Sequence, residues 1–91
     1  MAKFKVLKKA EFNEENNWIG EVEFNGQGFS YKYREDMNGQ EVRILVSDEW
    51  THNHPLHDIL YAACQEWGNP SEFGDIDTEN EIDDETVDFY K

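Results

Sequence analysis

The chain has 91 residues, 37% apolar and 14% aromatic, which suits one modest hydrophobic core and leaves no room for a second. Its net charge of −13 argues against direct contact with nucleic acid or anionic membrane, and points to basic protein surfaces or cations as partners. A lone cysteine, Cys64, excludes an internal disulfide framework, and no window offers the roughly 20 apolar residues of a membrane helix.

No apolar core of signal-peptide length follows Met1, so a cytoplasmic protein is expected. The charge is unevenly placed. Residues 1–45 carry seven basic and eight acidic groups, whereas residues 46–91 carry thirteen acids and one base. Ten of those carboxylates fall between Glu66 and Tyr90, with Trp67, Phe73, Ile76, Ile82, Val87 and Phe89 threaded among them. This asymmetry carries more information than the total.

In chain order, residues 3–12 alternate, with Phe4, Val6, Lys8, Ala10 and Phe12 facing one way and Lys3, Lys5, Leu7, Lys9 and Glu11 the other. A period of two predicts a half-buried strand. After the polar turn at 13–17, Trp18, Gly20, Val22 and Phe24 define a second strand at about 17–24. Asn25-Gly26-Gln27-Gly28 reads as a hairpin loop. A third strand, 28–35, turns Phe29, Tyr31 and Tyr33 inward, and a fourth, 41–47, follows the Asn38-Gly39 turn signal with Val42, Ile44 and Val46 inward. Apolar matching then sets Phe12 opposite Trp18, Val22 opposite Tyr31, Tyr33 opposite Ile44 and Tyr31 opposite Val46.

Leu56, Ile59, Leu60, Ala63, Cys64 and Trp67 form a helical stripe over 55–67, with His54 or Asn53 as cap and Gly68 as stop. The expected fold is therefore α+β, a four-stranded antiparallel meander covered on one face by a helix. Residues 1–69 form the core of the single domain in this reading, and the acidic segment 70–91 packs onto it. Thr78-Glu79-Asn80-Glu81 matches a capping box and predicts a helix over 79–90; a last strand over 86–90 is the rival.

Signals for chemistry are sparse. His52, His54 and His57 are the candidate metal ligands, but a cap at His54 and an exposed helix face at His57 account for them without a metal. Residues 75–86 are similar to a calcium loop of the EF-hand kind, with oxygens at alternate positions. Asn80 stands where that loop needs glycine, and Thr86 where it needs a bidentate glutamate. Cys64 lies on the inner stripe of its helix and reads as a core thiol rather than a nucleophile. Gly26 and Gly28 belong to a hairpin rather than a phosphate loop, and the strand aromatics are core before they are a nucleic-acid platform. No cofactor and no catalytic residue is expected.

Two readings of the acidic segment compete. One is a solvated tail, as blocks of like charge commonly are. The other is an ordered surface that imitates nucleic acid and occupies the basic cleft of a DNA- or RNA-binding protein, as a monomer or homodimer. Spaced acids and interleaved aromatics favour the second. Its contact set is Glu72, Asp75, Asp77, Glu79, Glu81, Asp83, Asp84, Glu85 and Asp88, with Phe73 and Phe89 as apolar anchors. In size, charge and lack of an evident active site, the chain is similar to small phage proteins that block restriction or CRISPR nucleases. Immunity proteins that neutralise basic nuclease toxins share the profile. The likeness is one of type and rests on no shared motif.

Overall fold

Alternating apolar and polar residues build most of the sheet. The computed structural model describes residues 1–91. Strands β1 (Ala2–Phe12), β2 (Trp18–Phe24), β3 (Gln27–Asp36) and β4 (Gly39–Val46) follow one another as an antiparallel meander. Two further strands extend it on opposite edges. The short β5 (Glu49–Thr51) pairs with β4, and β6 (Glu79–Ile82) pairs with β1, giving the order β5-β4-β3-β2-β1-β6. The four-stranded expectation was thus too coarse, and the sheet has six strands.

The turns explain the differences in register. Asn25 and Gly26 alone form the β2–β3 loop, both at positive φ (52° and 81°), as a type I′ turn requires. Val22 therefore faces Phe29 rather than Tyr31. The β3–β4 loop is Met37-Asn38, with Gly39 at φ 118° just after it, rather than Asn38-Gly39. Tyr33 faces Val42 and Tyr31 faces Ile44, two residues from the expected partners. Phe12 does face Trp18. A slip of two preserves the buried face, so the inward set of β2, β3 and β4 survives the error, whereas irregularities on either side of Lys8 in β1 put it opposite Glu21 on the outer face rather than inward.

Helix α1 (Pro55–Trp67) covers that face, as its stripe predicts. His54 Nδ1 accepts the backbone N–H of Leu56 at 3.1 Å, and the Gly68 N–H closes the other end on the Cys64 carbonyl at 2.9 Å. Leu56, Ile59, Leu60, Ala63 and Cys64 meet Val22, Tyr31, Tyr33, Val42 and Ile44 in one buried cluster. Gly20 lies beneath the Tyr31 ring, and a Cβ added there would sit 2.7 Å from the Tyr31 hydroxyl oxygen. Gly20→Ala is expected to cost about 1–3 kcal/mol through this overlap, measured by urea denaturation. A wild-type midpoint would show that the ring moves aside freely.

The core does not close at residue 69. A 3₁₀ turn at Pro70–Glu72, held by the Asn69 side chain accepting the Ser71 N–H at 2.9 Å, delivers Phe73 into it. Phe73 is 5% exposed and packs edge-on against Phe4 at 5.2 Å, with Trp67 and Tyr31 each at 6.2 Å. Ile82 enters the same cluster from β6. Residues 79–90 are not one helix, nor are 86–90 a strand. Residues 79–82 are strand β6, and a helix α2 (Asp84–Tyr90) follows from the cap position Asp83. Local capping chemistry at Thr78–Glu81 loses to the open edge of β1, where β6 gains a ladder and buries Ile82. Val87 and Tyr90 of α2 then pack against the core.

Candidate functional site

Five of the ten acidic residues take their positions from β6 and α2. In β6, Ala2 faces Ile82 and Phe4 faces Asn80 on the inner side. Alternation sends Glu79 and Glu81 to the outer side, opposite Lys5 and Lys3. Lys3 Nζ lies 3.6 Å from Glu79 and 3.5 Å from Glu81. Lys9 Nζ donates to Asp75 at 3.0 Å, and the Met1 amine lies 3.4 Å from Asp84. Lys91 approaches Asp88 at 3.9 Å. The basic strand β1 thus dresses part of the acidic segment. These pairs are about half exposed or more, so each stabilises by at most about 1 kcal/mol.

Half of the carboxylates between Glu66 and Tyr90 lie outside these ion pairs: Glu66, Glu72, Asp77, Asp83 and Glu85, all of them exposed. A cleft of about 240 Å³ between α1 and the β6–α2 junction brings Glu66, Glu81 and Asp83 together with Trp67 and Thr86. On α2, Glu85 and Asp88 accompany Phe89, which is 79% exposed and meets Tyr90 edge to face at 4.9 Å. Phe73 belongs to the core, which removes it from the surface set. Sequence pattern alone placed it outside because the 3₁₀ turn that aims it inward is only three residues long.

The other candidates resolve into structural roles. His54 spends Nδ1 on the helix cap and packs its ring against Phe29 at 4.9 Å. His57 shares a 3.0 Å contact with Asp58 and stacks on Tyr61 at 5.9 Å, while His52 lies 6.1 Å from it, ring to ring. No three His, Cys, Asp or Glu side chains are grouped to hold a metal ion. The calcium-loop likeness dissolves, since residues 75–86 form a turn, strand β6 and the start of α2.

Cys64 is buried, and burial, with a smaller contribution from Glu35, pushes its thiol up from an ordinary 9.0 to about 12. Burial likewise raises the Tyr31 phenol above its usual range. Such a thiol is inert in the native state. Its raised value means that the stability it contributes is complete below pH 9 and is lost as pH climbs through about 12. Native protein at pH 8 is therefore expected to leave Ellman's reagent unreacted, releasing one equivalent of thiolate only on unfolding in urea. Rapid reaction without denaturant would contradict this burial.

No helix is long and apolar enough to cross a membrane. No protein-family model, curated protein or solved structure matches the chain.

Proposed function

We propose that this protein is a non-enzymatic, acidic protein-binding module that occupies the basic cleft of a DNA- or RNA-binding protein, in the manner of a nucleic-acid mimic. The observation that carries the reading is the anchoring of the acidic segment. Glu79 and Glu81 sit on a strand paired with β1, and Asp84, Glu85 and Asp88 on a helix whose Val87 and Tyr90 pack on the core. Fixed charge of this kind costs the fold electrostatic repulsion, and it pre-organises a surface for a cationic groove. Exposed Phe89, one helical turn after Glu85 and next to Asp88, supplies an apolar anchor that desolvates at low cost.

A nuclease of the restriction, CRISPR or toxin kind is the target class that matches this charge and size. The test is capture from host lysate on immobilised protein, with elution by rising salt and competition of each captured protein against its own nucleic acid. Binding should weaken steeply above about 0.15 M salt, where the Debye length falls below about 8 Å. Capture that ignores salt, or a captured protein that keeps its nucleic acid, would sink the reading.

A further inference from the structure

The geometry points to a second recognition site at the far end of the sheet, an aromatic and acidic cleft that receives an arginine side chain of a basic partner protein. One cross-strand row runs Phe12–Trp18–Tyr33–Val42 over four strands of the inner face. Helix α1 covers Val42 and Tyr33 completely, leaves Trp18 half-buried, and does not reach Phe12, which is 58% exposed. The uncovered end of the row opens into a cleft of about 530 Å³ lined by Phe12, Asn16, Trp18, Glu35, Asp36 and Met37. That volume lies within the usual range of about 300–1,000 Å³ for ligand sites.

The chemistry of the lining selects the occupant. Phe12 and Trp18 meet edge to face, their centroids 5.4 Å apart and their planes at 65°. Glu35 stands two residues beyond Tyr33 and so shares its face. Its Oε2 accepts the Tyr33 hydroxyl at 2.9 Å, and that hydroxyl in turn accepts from Gln40 at 2.8 Å. The carboxylate is therefore positioned, yet no cation pairs with it. Asp36 is held by the Asn38 N–H at 2.8 Å and approached by Arg34 at 3.8 Å. A planar guanidinium stacks on aromatic rings and pairs with a carboxylate through a second edge. A lysine ammonium gains the charge without the planar stack, and a neutral side chain leaves Glu35 unanswered.

The site is separate from the C-terminal acids. Strand β6 reaches β1 only at Ala2–Lys5, and Phe12 lies roughly 20 Å further along that strand at about 3.3 Å per residue. The assignment stands on its own residues, although a basic partner suits both surfaces.

The experiment is an NMR titration of the full-length protein with N-acetyl-arginine methylamide, run beside its lysine and citrulline counterparts. The Trp18 indole N–H and the amides of Phe12, Asn16 and Met37 should shift saturably with the arginine probe, and the neutral citrulline probe should bind at least about fivefold more weakly. Phe12→Ser should weaken the arginine probe about two- to fivefold. Glu35→Gln, which keeps an acceptor for Tyr33, should weaken it comparably without touching the aromatic pair, and serves if Phe12→Ser perturbs the fold. Asp83→Asn with Glu85→Gln should leave the titration unchanged, so failure of the C-terminal surface is read separately. Absence of saturable shifts at these groups, equal binding of citrulline, or indifference to both cleft variants would overturn the assignment.

Discussion

Cutting the chain after Asn69 is expected to abolish the native fold rather than trim an appendage from a finished domain. Residues 70–91 contribute Phe73 and Ile82 to the core, each 5% exposed, and the strand that covers the β1 edge. Truncating one buried phenylalanine to alanine costs about 3–5 kcal/mol, and one buried isoleucine about 2–5 kcal/mol. A whole domain is stable by only about 5–15 kcal/mol. Electrostatics works in the opposite direction. The cut removes nine carboxylates and one lysine, taking the net charge from −13 to −5, which relieves repulsion. The apolar loss should win, because the exposed charges are screened while Phe73 is enclosed by Phe4, Trp67 and Tyr31. Far-UV and near-UV circular dichroism with thermal melts would measure it. Full-length Phe73→Ala isolates the core term and should lose about 3–5 kcal/mol in urea. A cooperative, native-like melt of residues 1–69 would show that the acidic segment is dispensable for folding.

What the sequence reveals here follows the range of the interactions involved. The meander and α1 are legible because period-two and period-3.6 patterns are local, and because Gly68 and His54 mark the helix ends chemically. The registers differ by two residues for two reasons: Gln27 and Gly28, which read as loop, belong to β3, leaving Asn25-Gly26 alone at the first tip, and Gly39 of the second Asn-Gly pair lies just past its tip, in β4. Strand β5 was missed because its turn is made by Ser47 and Asp48, both at positive φ (51° and 65°) without a glycine. Phe12 returns to the inward face beyond two register shifts in β1, but the length of sheet that α1 shades is not written locally, so its exposure is invisible in the pattern. The same limit hid the pairing of β6. A signal existed: Asp75, Asp77, Glu79 and Glu81 recur at strand spacing, and so do Lys3 and Lys5. Two alternating arrays of opposite charge suit a cross-strand ladder. The capping box at Thr78–Glu81 is a local signal, and the ladder with β1 that overrides it is not.

Neutralising the four unpaired carboxylates that follow α1 is expected to weaken partner binding far more than neutralising the lysine-paired ones. The first set is Glu72→Gln, Asp77→Asn, Asp83→Asn and Glu85→Gln, which changes the net charge from −13 to −9. The second is Asp75→Asn, Glu79→Gln and Glu81→Gln, which changes it to −10. Long-range steering depends on the summed field, so both sets should slow association by about tenfold at low salt. Dissociation separates them. A carboxylate that already faces Lys3 or Lys9 gives a basic partner less to gain, because its own lysine repels that partner. A carboxylate without such a lysine offers its full charge at contact, and its loss should raise the off-rate as well. The first set should therefore raise Kd by about a hundredfold or more, roughly 3 kcal/mol, and the second by about tenfold. Surface plasmon resonance against the captured protein, at two salt concentrations, resolves both rates. An off-rate untouched by the first set would reduce the acidic surface to a non-specific field. A larger off-rate effect from the second set would move the contact to the outer face of the β1–β6 pair.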